Sequence, residues 1–363
     1  IAIDGNKAKA TDLEIGIIYE LGKDVGKIAL SAELLKGKNL EELVIDEKER
    51  TATISGLSLQ GEDIKEFPQI PEVKTKPQFA VSFPAIETGL TQILKHVATS
   101  DTRPELNGVF LKNENGQLRI AATDSFRLNQ VYTGAKINED FEAILPLNSA
   151  KKILRLFKQI KPDAVIDVAI NKKENLIQFK TGKVTIVSRI TDAGYPDYKK
   201  ILPEKAKIVT TFNKDDLLAV IKETPSTPLN DIQIHRATDG KSLNIRVINK
   251  ADNISFSKSI PARIVKKEVK IDPDKDLYLI MPLREGSEPA KEGRIDVNKK
   301  YISDYLETAD SYDIELLDTG TAGTPLMMRI PESKTEYQVA FSEENHIFAE
   351  ESQDLVYKYF TPQ

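Results

Sequence analysis

A helix followed by several short strands recurs along this chain, and that recurrence constrains the fold more than any single motif. Apolar residues at helical spacing predict helices over residues 32–43, 86–97, 149–160, 213–224 and 298–309. The second, third and fourth of these start about 63 residues apart. Between them lie β-like runs such as GVFLK (108–112), QLRIAA (117–122), NLIQFK (175–180) and VTIVSRI (184–190). Asn213 and Asn298 stand where an N-cap belongs, since a short side-chain oxygen can accept from the orphaned amides of a first turn. In the third helix Ala150, Ile153, Leu154, Phe157 and Ile160 share one face, while Lys151, Arg155 and Lys158 fall on another.

Larger units recur too. ERTATISGLSLQGEDIKEFPQIP (49–71) and ENLIQFKTGKVTIVSRITDAGYPDYKKILP (174–203) share one layout: strand, glycine turn, strand, then an aromatic-Pro segment ending in Pro. IAIDGNKAKATDLEIGI (1–17) is likewise a shorter version of RPELNGVFLKNENGQLRIAATDSFRL (103–128). Two helix-plus-strand units make one domain, closed by a proline-bearing linker that favours extended backbone. The boundaries fall near residues 76 and 204, giving domains 1–75, 76–203 and 204–341 and a tail, 342–363. The fold class is α+β, built of repeated helix-plus-antiparallel-strand units in three similar domains. The first domain is short by about one helix and one strand. The third carries a charged, Pro-rich surplus near 263–293.

Composition removes several function classes. No apolar run approaches the ~20 residues a membrane span needs. The chain has no cysteine, so disulfides and thiolate metal sites are unavailable, which fits a reducing cytoplasm. His96, His235 and His346 are far apart and lack metal-ligand spacing. Asp124 and Asp197 sit in turn-like contexts without a phosphate loop or a nucleophile and base beside them, so the reading is not an enzyme, with no cofactor and no metal. A net charge of −5 argues against nucleic-acid binding by bulk positive charge, though not against a local basic face.

The strings TRPELNGVFL…LRIAATDSFRL, GYPDYKKILP and IDVNKKYISDYL resemble signatures of the bacterial sliding clamp, the beta subunit of DNA polymerase III. The resemblance is strong across the middle domain, fair over 1–75 and partial over 204–363. It implies a DNA-clamp fold that forms a ring, usually a head-to-tail homodimer, with helices lining the hole. Such a protein catalyses nothing: it encircles duplex DNA without reading sequence and keeps a tethered polymerase from diffusing away. The implied partners are double-stranded DNA, DNA polymerase and clamp-loader subunits and a second copy of the chain, in a bacterial cytoplasm and not at a membrane. Candidates for the DNA-facing surface are Lys95, Lys151, Lys152, Arg155, Lys158, Lys214, Lys222, Lys299 and Lys300. The competing reading is a clamp-like interaction scaffold that does not encircle DNA.

The resemblance also implies a pocket for short peptide motifs of partner proteins, formed by the loop after the ATD triplet and the linker to the last domain. By position its residues are Leu106, Thr123, Ser125, Phe126, Arg127, Leu128, Pro196 and Ile201, a mixture of apolar walls and orienting polar groups. The family commonly has Gly-His where Ser125-Phe126 stands here, so one wall is bulkier and less polar. Two segments compete to complete the pocket. LYLIMPLR (277–284) is similar to the family's C-terminal string, whereas PLMMRIPESKTEYQVAF (325–341) is better placed along the fold and brings Leu326, Met327 and Val339. In the tail, Gln353, Val356, Tyr359 and Phe360 reproduce the spacing by which partners dock onto eukaryotic and archaeal clamps; the alternatives are an added edge strand in which Leu355, Tyr357 and Tyr359 alternate, or a tail packed on the third domain.

Overall fold

The computed structural model describes residues 1–100, 102–159, 165–272, 278–281, 293–321 and 324–330. The chain opens as an antiparallel meander of β1 (Ala2–Asp4), β2 (Lys7–Thr11) and β3 (Ile15–Glu20), with β4 (Lys27–Ala29) on the other side of β1. The helix expected over 32–43 is not formed. One turn, α1 (Ala32–Leu35), is followed by Gly37 at φ +72 and then by a 3-10 turn, Leu40–Glu42, capped by Asn39. A left-handed residue ends an α-helical ladder, and glycine adopts that conformation without a Cβ penalty. The apolar spacing was real all the same: Leu35, Leu40 and Leu43 are all buried. A three-stranded sheet of β5 (Val44–Asp46), β6 (Thr51–Ile54) and β7 (Leu57–Gln60) follows.

The middle of the chain runs β8 (Phe79–Ser82), α2 (Phe83–Ile93), β9 (Gly108–Glu114), β10 (Gln117–Thr123), β11 (Leu128–Lys136), β12 (Glu142–Pro146), α3 (Leu147–Phe157), β13 (Val165–Asn171), β14 (Leu176–Thr181) and β15 (Val184–Arg189). The helix α2 starts earlier than its apolar spacing indicates because Pro84 fits a first turn, where no amide partner is needed. It passes into a 3-10 turn, Leu94–His96, that occupies the rest of the expected span. The last third runs β16 (Lys205–Asn213), α4 (Lys214–Glu223), β17 (Asp231–Arg236), β18 (Ser242–Asn249), β19 (Ile254–Lys270), β20 (Tyr278–Met281), β21 (Arg294–Asn298), α5 (Lys299–Leu306), β22 (Asp313–Asp318) and β23 (Leu326–Arg329). Both predicted caps form: Asn213 accepts from the Asp215 and Asp216 amides, and Asn298 from that of Lys300.

Two long sheets carry the architecture. One has the order β4-β1-β2-β3-β15-β14-β13-β8, the other β12-β9-β10-β11-β20-β23-β22-β16-β19-β18-β17-β21. Each therefore runs through a junction between repeat units, β3 against β15 (Ile17↔Ile186) and β11 against β20 (Leu128↔Ile280). The helices cover one face. Leu90, Ile153 and Phe157 belong to a core shared with the first two-thirds of the chain, and Leu217, Ile221, Ile302 and Leu306 to a second core in the last third. The opposite face of the second sheet holds a third cluster. There one row crosses five strands, Leu128↔Ile280↔Met327↔Leu317↔Val209, and is capped by Tyr195, Tyr198 and Leu202 of the linker. That row is the floor on which the candidate site is built.

Candidate functional site

The loop between β10 and β11 is a tight turn held by its own side chains. Thr123 Oγ1 donates to the Arg127 carbonyl at 2.7 Å and accepts from the Ser125 amide at 3.2 Å. Asp124 Oδ1 accepts from the amides of Phe126 (3.0 Å) and Arg127 (2.9 Å). Short polar side chains of this kind replace the backbone partners a turn lacks. Ser125 takes φ +76, and Phe126 is left 67% exposed. The same turn stands between β2 and β3: Thr11 Oγ1 donates to the Ile15 carbonyl and accepts from the Leu13 amide, while Asp12 Oδ1 accepts from the amides of Glu14 and Ile15. Leu13 there has φ +75. The sequence repeat is thus a repeat of hydrogen-bond geometry.

Both turns reach into the next unit. Asp12 Oδ2 accepts from the Lys152 ammonium on α3. Burial alone would raise the Asp12 carboxyl, but the Lys152 and backbone hydrogen bonds outweigh it and hold the group below its ordinary range. At the second turn Arg127 is 6% exposed and fully engaged. Its Nε donates to Asp124 Oδ2 at 2.9 Å, Nη1 to Asp304 Oδ2 on α5 at 2.8 Å and Nη2 to the Lys95 carbonyl at 2.8 Å. The guanidinium also lies 4.7 Å from the Tyr301 ring centroid. Arg127, expected among the pocket residues, is a bolt between the Leu94–His96 turn, its own loop and α5. Burial raises the Asp304 carboxyl, yet hydrogen bonds from Lys300 and Arg127 bring it below the usual carboxylate range. Beneath the bolt, His96 is fully buried, and desolvation, then the Arg127 charge, lowers it to about 3.

Of the other expected pocket residues, Leu106, Leu128, Leu326 and Met327 are buried, with Leu128 and Met327 in the five-strand row and Leu326 in the core of the last third. Thr123, Ser125 and Pro196 remain at least partly accessible beside Phe126. Pro196 lies in the linker just before the 3-10 turn Tyr198–Ile201, which supplies the Ile201 backbone. Val339 lies outside the described residues. The linker is fixed by aromatic and charged contacts the sequence reading missed: Tyr195 stacks on Phe110 at 4.3 Å and 4°, and the fully buried Arg119 donates to the Tyr198 hydroxyl at 2.9 Å while pairing with Glu114 at 2.6 Å. Both competing segments reach this region, since β20 lies between β11 and β23. The Y-P-D-Y spacing was the available signal for the stack. The LYLIMPLR string pointed to the segment of Ile280, whereas nothing local in the sequence pointed to the contact with Asp304.

The expected basic residues divide into three groups. Lys214, first residue of α4, donates to the Ala309 carbonyl just past α5, and Lys299, first residue of α5, donates to the Thr224 and Pro225 carbonyls just past α4. Two antiparallel helices thus exchange lysine caps at their negative ends. A second group is ion-paired: Lys95 with Glu307, Lys152 with Asp12, Lys158 with Glu87 and Lys300 with Asp304. Lys151, Arg155 and Lys222 are exposed. Helix α3 exposes only basic and polar residues, whereas α4 exposes Asp215, Asp216 and Glu223 beside Lys222.

Residues 85–197 match the family model of the DNA polymerase III beta subunit, central domain. The chain is 26% identical over 336 residues to a beta sliding clamp of Bacillus subtilis, covering 90% of this chain and 82% of that one. It is 25% identical to one of Rickettsia bellii, covering 89% and 85%. Over most of its length the chain is thus similar to beta sliding clamps, and its central part matches the family model. Among solved structures, the DNA polymerase III beta subunit of Thermotoga maritima superposes with a TM-score of 0.69 at 19% identity over 91% of this chain and 89% of that one. The sliding clamp of Bacillus subtilis gives 0.69 at 21% over 91% and 90%. The clamp fold thus extends well beyond the central domain, through both junctions described above.

Proposed function

We propose that this chain is a non-catalytic DNA sliding clamp, a processivity factor that closes as a two-copy ring around duplex DNA and tethers polymerase and clamp-loader subunits through peptides docked beside Phe126. One observation carries the reading: a single strand-pairing rule joins successive units. The third strand of one meander, β3 or β11, pairs with the edge strand of the next unit, β15 or β20. Among the described residues the third such meander, β17-β18-β19, leaves the Ile254–Ile260 stretch of β19 with a partner on one side alone, and β7 pairs with β6 alone. Applied once more, between copies, the rule pairs β19 with β7, where Leu57 is exposed. Two copies joined head to tail satisfy both free edges, as closed symmetry requires.

The domains 1–75, 76–203 and 204–341 are the units of this ring, with helices toward the DNA. The basic face of α3, Lys151, Arg155 and Lys158, supplies exposed positive charge, with Lys95, Lys152, Lys222 and Lys300 around it; Lys214 and Lys299 serve as caps. Peptides dock on Thr123, Ser125, Phe126, Pro196 and Ile201 over the buried row. No helix among the described residues is long and apolar enough to cross a membrane, and a cytoplasmic site of action follows from the replication role. The acidic surface of α4 favours the second reading, a scaffold that does not thread DNA. Sedimentation separates the two: the ring requires twice the 40.6 kDa chain mass, reduced to one by Leu57→Asp. A wild-type monomer at micromolar concentration contradicts the ring.

A further inference from the structure

Two guanidiniums meet the loop between β10 and β11, and they are used differently. Arg127 is buried, with all three nitrogens bound inside the protein. Arg103 enters from the 3-10 turn Pro104–Leu106 and keeps half of its side chain exposed. Its backbone is fixed. Pro104 holds it extended, at φ −134 and ψ 82, its carbonyl accepts from the Leu106 amide at 2.9 Å, and Leu106 is buried. Its side chain is fixed as well: Nε donates to Glu105 Oε1 at 3.0 Å and Nη1 to Ser125 Oγ at 3.1 Å. Among the described residues no partner engages Nη2.

Ser125 stands at a strained position. At φ +76 it holds a left-handed backbone that is unfavourable for any residue with a Cβ and that glycine takes without penalty. The matching position of the first turn is Leu13, at φ +75, whose side chain carries no polar atom. In the second turn the same position carries a hydroxyl, and that hydroxyl anchors Arg103 one residue from the exposed ring of Phe126. The neighbouring charges are already engaged. Asp124 serves its own turn and Arg127, Lys95 pairs with Glu307, and Lys200 lies 3.2 Å from Asp197. What the loop presents is a planar fork with N–H groups left over, beside an exposed aromatic ring. A carboxylate is its complementary acceptor, since it takes two parallel N–H bonds from one guanidinium. A fork held in advance by Ser125 and Glu105 also loses little rotamer freedom on binding. Glu105, itself 25% exposed, opposes a second carboxylate and limits the preference.

We propose that Arg103 makes the docking site beside Phe126 selective for peptides that carry a carboxylate next to their apolar anchor. The inference rests on the docking reading above and names the chemistry of its ligand. The carboxylate belongs to an acidic side chain or to a peptide C-terminus, and the test separates these sources. Ala-Leu-Xaa-Leu-Phe with a neutral N-terminal fluorophore, Xaa being Asp or Asn and the C-terminus free or amidated, is titrated with the full chain by anisotropy at 50 and 200 mM salt. The preferred carboxylate is expected to tighten binding about fivefold over the uncharged peptide at 50 mM, and less at 200 mM. A gain from Asp assigns a side chain, and a gain from the free C-terminus a chain end. Arg103→Met, which keeps the apolar stem, is expected to bring that ratio to one or below. Lys200→Met, which removes an equal charge nearby, is expected to preserve it. Glu105→Gln is expected to raise the ratio. Ser125→Gly is expected to lower it about twofold while raising Tm, a split that a purely structural serine would not give. A ratio near one in the wild-type chain, or one that survives Arg103→Met, overturns the proposal and leaves docking in place where Phe126→Ala weakens the uncharged peptide. Failure of all four peptides to bind at about 1 mM protein, or an uncharged peptide indifferent to Phe126→Ala, overturns docking beside Phe126 and the proposal together.

Discussion

Arg127 shows how far a residue type can be read in advance. Its position in the loop was legible from the ATD repeat, but its direction was not, because Asp304 lies 177 residues away. With both groups buried, removing one partner leaves an uncompensated charge, so Arg127→Met is expected to cost about 3–5 kcal/mol, read from denaturant unfolding. The double change with Asp304→Leu should recover much of that loss. Acid behaviour follows from the same cluster. Buried His96 is neutral in the fold and titrates only at about 3, well below an unfolded value near 6.5. The unfolded chain therefore binds the extra proton first, and stability is fully present above about pH 6.5 and falls as pH drops toward 3. Asp304, lowered in the fold, adds a loss only below about pH 4. His96→Asn should flatten the decline between pH 6.5 and 4; an unchanged slope there removes His96 as its source. Lys205 and Lys270 are direct cross-strand partners on β16 and β19; Lys270→Glu converts this like-charged pair into an opposed one and should stabilise by about 0.5 kcal/mol in low salt, seen as a raised Tm.

Among the elements, periodicity located four of the five helices, and the caps at Asn213 and Asn298 were read from residue type alone. The failure over 32–43 has a local cause, Gly37, which apolar spacing does not register. The 263–293 surplus was legible as charge and proline and by its LYLIMPLR string; its described parts extend β19 and supply β20, a strand specified by its neighbours β11 and β23 and not by its own length. The expected tail motif at Gln353, Val356, Tyr359 and Phe360 lies outside the described residues. Lysines at helix starts were read as ligand-facing because exposure is the usual fate of lysine, whereas Lys214 and Lys299 cap neighbouring helices. Lys214→Met and Lys299→Met should each cost about 1 kcal/mol of stability and leave DNA retention unchanged within twofold. Reversing Lys151, Arg155 and Lys158 together should do the opposite: Tm nearly constant, retention at least tenfold weaker at low salt. Equal retention would take α3 off the DNA-facing surface.

At the scale of the molecule, three things agree: the repeat in the sequence, the sheets that cross both junctions, and the similarity to beta sliding clamps. The cores explain why the repeat was visible, since each unit must bury a helix stripe and a strand face at fixed spacing. The ring closure proposed above has no counterpart in the sequence pattern, because a free strand edge carries no side-chain pattern of its own. The most direct measurement loads labelled protein onto nicked circular plasmid with a bacterial clamp loader and follows retention through gel filtration before and after a single restriction cut. A closed ring predicts stable co-elution with the circle at 150 mM salt and loss within minutes of linearisation; equal retention on circle and line contradicts encirclement.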